Sequence, residues 1–375
     1  MIYLDNAATT KIDPRVTEAM LPYLKEEYGN PSAKYYTLAE NAKQAVNTSR
    51  GNLAKLINCD SDEIIFTSGA SESNNFVLKG ISDFYKDKGN HIITSSVEHK
   101  SILETCKYLE KKGFEVTYLD VNKYGQVNPS SLEKAIKDNT VLVSIMWANN
   151  EIGSLNDINQ LSKICKNNDI FFHSDATQTL GKIQINIKQL PVDFLSFSAH
   201  KIYGPKGIGG CFISKDELGL KRRITPLIHG GGQEFNYRSG TLCTHNIVGF
   251  GEAAKIAYKE MESYVNEIID LEEKIRSDLK STITNIKFNS PLKNKIPGIL
   301  SITVPGLNNE LAIRKIKDQI AISTGSACSF NKPSNVLKAI GLTNEDIRNT
   351  VRVSLGKFNN SSVLKLTKML NKLIT

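Results

Sequence analysis

No apolar run in the chain approaches membrane-spanning length. The start, Met1-Ile2-Tyr3-Leu4-Asp5-Asn6, lacks a basic stretch followed by an apolar one, so no signal peptide is expected. Only six cysteines occur in 375 residues: Cys59, Cys106, Cys165, Cys211, Cys243 and Cys328. None form a C-x-x-C pair, and no cysteine–histidine cluster has zinc spacing, so no resident metal is expected. The turns Gly204-Pro205-Lys206-Gly207 and Gly230-Gly231-Gly232 match neither the dinucleotide fingerprint nor the P-loop. The net charge of +8 is scattered, with no long Lys/Arg block, and reads as a solvated surface rather than a direct nucleic-acid contact. Free thiols without export or membrane signals point to a reducing cytoplasm.

What remains is an ordinary globular balance, 40% hydrophobic and 23% charged, long enough for one large and one smaller domain. Short apolar runs alternate with amphipathic stretches from about residue 60 to 215. The runs are Ile64–Phe66, Ile92–Thr94, Phe114–Leu119, Val141–Met146, Ile170–His173, Val192–Ser196 and Gly209–Ile213. That alternation predicts an α/β fold with a mostly parallel sheet covered on both faces and a site at the carboxyl ends of the strands. A helical pattern over about 246–280 suits a connector. Beyond it, runs at 299–304, 320–322 and 351–355, with helices near 310–317 and 361–373, predict a smaller α/β unit.

A few side chains stand out against this scaffold. Lys201 ends Phe197-Ser198-Ala199-His200-Lys201, just after a strand. A lysine withdrawn from water loses its proton more readily and can form a Schiff base; the alternative is a surface lysine beside a glycine turn. Asp175, in Asp175-Ala176-Thr177-Gln178, follows another apolar strand. A carboxylate there needs a positive partner such as a protonated pyridine nitrogen, unless it is only a helix cap. Together the two describe a pyridoxal phosphate (PLP) site, in which the cofactor serves as electron sink. Gln178 could bond its phenolic oxygen.

Thr67-Ser68-Gly69-Ala70-Ser71-Glu72 joins a strand to a helix start, where small residues let N–H groups approach a phosphate. Ser71 adds a hydroxyl or merely caps its own helix, and Ser198 and His200 could contact the same phosphate. His99 could stack on a planar ring and handle protons, or be structural. Arg352, in Val351-Arg352-Val353-Ser354, could hold a substrate α-carboxylate through two parallel bonds, or be a strand-end arginine. Cys328 lies in a stretch, 323–335, rich in Ser, Gly and Asn. The other five cysteines fall in helical or strand patterns and read as packing residues. A PLP site with a thiol in a polar loop suggests that sulfur is taken from a substrate.

In order along the chain these segments resemble the cysteine desulfurases of the NifS/IscS type, in the class V aminotransferase group of fold-type I PLP enzymes. The resemblance spans nearly the whole chain. It is carried by Tyr3–Thr10, Thr67–Asn74, Glu98-His99-Lys100, Asn149–Gly153, Asp175–Gln178, Ser198–Lys201, His229–Gly232, Arg238–Thr241 and Gly325-Ser326-Ala327-Cys328. It implies PLP on Lys201, Asp175 at the ring nitrogen, Asn150 and Gln178 near the ring oxygen, and His99 stacked on the ring. Ala70, Ser71, Ser198 and His200 would bind the phosphate, with Thr241 reaching it from the second subunit of a homodimer. Arg352 would take the carboxylate of L-cysteine, with Asn150 beside it, and Cys328 the sulfur. The product would be L-alanine, and the sulfur would pass to a protein acceptor, an iron–sulfur scaffold or a tRNA thiolation enzyme. A large PLP-binding domain is expected over 14–255, and a smaller one from 1–13 and 256–375 carrying the cysteine loop. Trp147 stands where many relatives carry histidine, and the segment after Cys328 and the C-terminus are short, departures that bear on the choice of partner rather than on the chemistry.

Overall fold

The computed structural model describes residues 1–325 and 333–374. Its strands are short apolar runs closed by polar or glycine-rich turns. In chain order they are β1 (Ile2–Tyr3), β2 (Ile64–Thr67), β3 (His91–Ser95), β4 (Glu115–Leu119), β5 (Thr140–Ser144), β6 (Phe171–Asp175), β7 (Phe194–Ser198), β8 (Gly209–Ile213), β9 (Lys287–Phe288), β10 (Ile299–Thr303), β11 (Ile320–Ala321) and β12 (Thr350–Ser354). β2 through β8 form one sheet in the order β2-β8-β7-β6-β5-β3-β4. The pairs from β7 across to β4 are parallel, and β8 alone runs against its neighbours β2 and β7. Because β8 reverses, β2 points the same way as β7, so Thr67, Ser95, Asp175 and Ser198 all end on one edge of the sheet.

Alternating side chains feed opposite faces, as a sheet covered on both sides requires. Ile64, Phe66, Ile93, Leu195 and Phe197 enter one core, while Ile65, Ile92 and Phe194 enter the other. β5 stops at Ser144, two residues short of the apolar run, because the Met146 N–H turns away to the carboxylate of Glu98. β6 and β7 run on to Asp175 and Ser198, further than their apolar runs alone indicate.

The helices are α1 (Pro14–Lys25), α2 (Thr37–Ile57), α3 (Ala70–Phe84), α4 (Lys100–Glu110), α5 (Pro129–Ala135), α6 (Ile158–Asn167), α7 (Thr244–Thr282), α8 (Asn309–Ile316), α9 (Asn335–Ala339), α10 (Asn344–Arg348) and α11 (Lys365–Ile374). α7 carries its first half, Ile247 to Ala257, into the core of the large sheet. Its second half, Tyr264 to Leu279, enters a separate core built on β10 and β12. β10 is flanked antiparallel by β12 and β9. The N-terminal β1 pairs in parallel with β11, and Leu4 joins that second core, so residues 5–10 cross from one core to the edge of the other.

β2 lies at the sheet edge, where unpaired backbone groups invite association. Here side chains replace the missing strand. Arg50 on α2 donates from Nη1 to the Ile64 carbonyl at 2.5 Å, and the Phe66 N–H donates to Glu234 Oε2 at 2.7 Å. Arg50 and Glu234 pair at 2.7 Å with almost no exposure, and the guanidinium lies 4.7 Å from the Phe66 ring centroid. Glu234, Phe235 and Asn236 all hold positive φ, a backbone that ordinary side chains adopt at a cost. Replacing Glu234 by Ala leaves a buried cation unpaired and should lower unfolding stability by about 3 kcal/mol. Arg50→Met together with Glu234→Ala should lose clearly less than the sum of the single changes in urea titrations. A loss below about 1 kcal/mol for Glu234→Ala would contradict this role.

Candidate active site

A cavity of about 540 Å³ opens at the carboxyl edge of the large sheet. Ala70, Ser71, His99, Asn150, Asp175, Gln178, Ser198, His200, Lys201 and Arg352 all line it. Thr241 does not; it is exposed, shortly before α7. Cys328 lies outside the described residues. The chain on either side of it reaches the cavity. A Cβ placed on Gly325 would sit 3.0 Å from Glu151 Oε2, and Ser334 Oγ donates to that same oxygen at 2.5 Å. Glu151, Asn335 and Val336 line the cavity wall.

Topology brings the lysine and the aspartate together. β6 and β7 are hydrogen-bonded neighbours, with Asp175 registered on Ser196, and Lys201 follows β7 in a single 3-10 turn. Asp175 is 6% exposed. Its Oδ1 accepts from the Thr177 N–H at 3.0 Å and its Oδ2 from Asn74 Nδ2 at 2.8 Å. Lys201 Nζ donates to the carbonyls of Ala7 and Ala8, at 2.5 and 2.6 Å, which ties it to the crossing N-terminal segment. Gln178 donates from Nε2 to the Ala7 carbonyl and accepts at Oε1 from Lys182, which fixes which way its amide points. Desolvation pushes the Lys182 amine down to about 7, helped by the charges of Lys201 and Arg352.

β2 leads into α3 through Ser68 and Gly69. Gly69 sits at φ 157 and no side chain caps the helix, so its first N–H groups, with no intrahelical partners, open on the cavity. Gly209 on β8 permits the close approach. A Cβ there would meet Gly69 Cα and the Phe197 carbonyl at 2.5 Å, both backbone and unable to yield. Glu72 accepts from the Ser68 N–H and pairs with Arg238 at 2.9 Å, so its charge is met by a guanidinium. His200 Nδ1 lies 3.1 Å from Thr9 Oγ1. Burial, reinforced by Lys201, Lys206 and Lys182, pushes its imidazole down to about 4.

His99 is the N-cap of α4: its Nδ1 accepts from the Ser101 N–H at 3.2 Å and contacts Ser101 Oγ at 2.8 Å. Burial, ahead of the charges of Lys201 and Lys100, holds its imidazole below the usual range. Arg352 is 1% exposed, yet it is no snorkelling strand end. Nη2 donates to Asp5 Oδ1 at 2.7 Å and Nη1 to the Asn150 carbonyl at 2.9 Å. Nε is buried without a partner among the described residues.

Several residues of the site had escaped the sequence reading. Glu98 lines the cavity and is wholly buried, and desolvation pushes its carboxyl up to about 8 against the pull of Ser95 and the Met146 N–H. Asp5 orients Arg352. Asn74 and Ser101 join Asp175 to His99. The signal for Asn74 was present: an asparagine inside a helix is a poor helix former and calls for a reason. Among the remaining cysteines, Cys106, Cys165 and Cys211 are buried in packing positions as expected. Cys59 follows α2 and Cys243 caps α7, both half-buried and outside any regular element, where terminal turns interrupt the apolar patterns.

Comparison with known proteins fits this geometry. Residues 2–365 match the family model described as aminotransferase class-V. The chain is 47% identical over 370 residues to the cysteine desulfurase IscS of Buchnera aphidicola subsp. Baizongia pistaciae, covering 98% of this chain and 90% of that one. It is 46% identical over 359 residues to the cysteine desulfurase IscS of Rickettsia typhi, covering 95% and 87%. Among solved structures, a NifS-like protein superposes with a TM-score of 0.92 at 36% identity, over 100% of this chain and 99% of that one. SspA in complex with cysteine superposes at 0.83 and 36% identity, over 96% and 100%. With its sheet order, its aspartate ending one strand and its lysine just past the end of the neighbouring one, and a match over nearly its full length, the chain belongs to the aminotransferase class-V family.

Proposed function

We propose that this cavity is the site of a PLP-dependent cysteine desulfurase that converts L-cysteine to L-alanine and leaves the sulfur as a persulfide on Cys328. The observation that carries the reading is that Asp175, at the end of β6, and Lys201, just past the end of the adjacent β7, line one cavity beside the uncapped start of α3. The residues present fit PLP. Asp175 offers a buried carboxylate to a ring cation, and Thr177 Oγ1 is a buried hydroxyl without a partner among the described residues. Lys201 offers the amine for covalent attachment. The first turn of α3, with Ser71, Ser198 and His200, offers donors for a phosphate. PLP, when bound, withdraws electrons from the substrate Cα, which makes its proton removable.

The chain's own groups supply the rest. Asn150 and Gln178 would hold the ring-oxygen side of the cofactor, and His99 would stack on its ring. Arg352, pinned by Asp5 and the Asn150 carbonyl, lines the cavity and would take the substrate carboxylate through its guanidinium. Lys201 Nζ moves the Cα proton. The Cys328 thiolate attacks the substrate sulfur, whose bond to Cβ breaks; cysteine plus thiol becomes alanine plus persulfide. We assign the large unit to 14–255 and the smaller to 1–13 with 256–375, supported by the passage of α7 from one core to the other between Ala257 and Tyr264. In this reading the active form is a homodimer in which Thr241 completes the partner's phosphate site. The persulfide passes to a protein acceptor, an iron–sulfur scaffold or a tRNA thiolation enzyme. The described cysteines are free thiols, as a cytoplasmic protein keeps them, and no helix among the described residues is long and apolar enough to cross a membrane.

Lys201→Ala should lower alanine production by at least about a thousandfold while the melting transition stays cooperative. Appreciable turnover by the purified variant would refute the assignment. Cys328→Ala should still bind PLP and change its visible spectrum when cysteine is added, but release little alanine. Mass spectrometry of the cysteine-treated wild type should place the extra sulfur on Cys328; sulfur on Cys243 instead would overturn the mechanism.

A further inference from the structure

We propose that Asn74 and Ser101 are positioning residues whose hydrogen bonds fix which atoms of Asp175 and His99 accept and which donate, a role that rests on the PLP site proposed above. Asn74 is fully buried on the inner face of α3. Its Nδ2 donates to Asp175 Oδ2 and to Ser101 Oγ, each at 2.8 Å. The amide orientation is determined by its neighbours. Turned over, Oδ1 would face a carboxylate oxygen, acceptor against acceptor. In the orientation adopted, Oδ1 is left buried without a partner among the described residues. An acceptor is thus sacrificed to aim both N–H groups at the site, which a purely structural asparagine has no reason to do.

The polarity then propagates. Ser101 Oγ accepts from Asn74, so its single proton is free for His99 Nδ1, 2.8 Å away. The Ser101 backbone N–H points at the same nitrogen. With two donors directed at it, Nδ1 carries no proton, and the neutral ring carries its hydrogen on Nε2. The charged groups acting on His99 are Lys201 and Lys100, which also favour the neutral ring, and Asp175, which opposes them. One amide thus holds an anion as an acceptor at one end and a neutral imidazole at the other.

The test uses the full-length protein as purified with PLP, labelled with 15N at histidine, and follows the His99 ring by long-range 1H–15N correlation across pH. The wild type should show the Nε2–H form and titrate below the ordinary imidazole range. Ser101→Ala removes one donor to Nδ1 and should raise that midpoint by about half a pH unit or more, and Ser101→Thr should restore it. Asn74→Leu removes a donor to the Asp175 carboxylate and should weaken PLP retention about tenfold. If Asn74→Leu does not fold, the serine pair decides alone. An unchanged His99 midpoint in Ser101→Ala, or an Nδ1–H form in the wild type, overturns the proposal. If the wild type binds no PLP, the site reading fails, yet the His99 titration still decides the hydrogen-bond chain.

Discussion

A carboxylate at the end of a buried strand must be met by donors and a cation, and most of this site is organised around meeting the charge of Asp175. Transfer of an unpaired anion from water is too costly to leave it alone. The Thr177 N–H meets one oxygen and Asn74 the other. Asn74 requires α3 to pack closely against the sheet, which requires glycine at 69 and 209 where the strand-to-helix turn passes over β8. Ser101 requires His99 to cap the start of α4. The carboxylate therefore dictates where two helices start, and those helix starts are the walls of the cavity.

The charges lining the cavity follow from the same geometry. Lys100, Lys201, Lys206 and Arg352 stand against Glu72, Glu98, Glu151 and Asp175. Glu72 is occupied by Arg238, and burial raises the carboxyls of Glu98, to about 8, and of Glu151. Even with Glu72 met by Arg238 and Arg352 by Asp5, Lys100, Lys201 and Lys206 remain on the cavity wall, which suits an anionic cofactor and the carboxylate of an amino-acid substrate. Arg352 shows how the balance is kept local. Asp5 arrives on the N-terminal segment that pairs with β11 on one side and delivers Ala7 and Ala8 to Lys201 on the other.

The alternation of apolar runs made the large sheet legible, because a strand buried on both faces is a short run of apolar residues in any topology. The same rule hid the exact ends of β5, β6 and β7, since a strand stops where its next N–H finds another acceptor, as Met146 does at Glu98. The reversal of β8 and the helices before residue 60 were not legible either. α2 buries four alanines with Ser49 and Arg50 among its ten buried residues, so its apolar pattern is faint, and strand direction depends on pairing rather than on composition. Lys201, Asp175 and His99 stood out because a charged or titratable group after an apolar strand is costly without a purpose. Asp5, Glu98, Asn74 and Ser101 did not, because their meaning lies in partners far away in sequence. The approach of Glu151 to Gly325 and Ser334, which brings the flanks of the cysteine segment to the cavity, is likewise a fact of three dimensions.

The central claim is that one lysine, in the turn just past β7 and lining the same cavity as Asp175, carries the cofactor. Borohydride reduction of the PLP-loaded protein, followed by peptide mass mapping, tests it most directly. The account predicts a single pyridoxyl label on Lys201. A label on Lys182, Lys206 or Lys100, or no stoichiometric label at all, would contradict it.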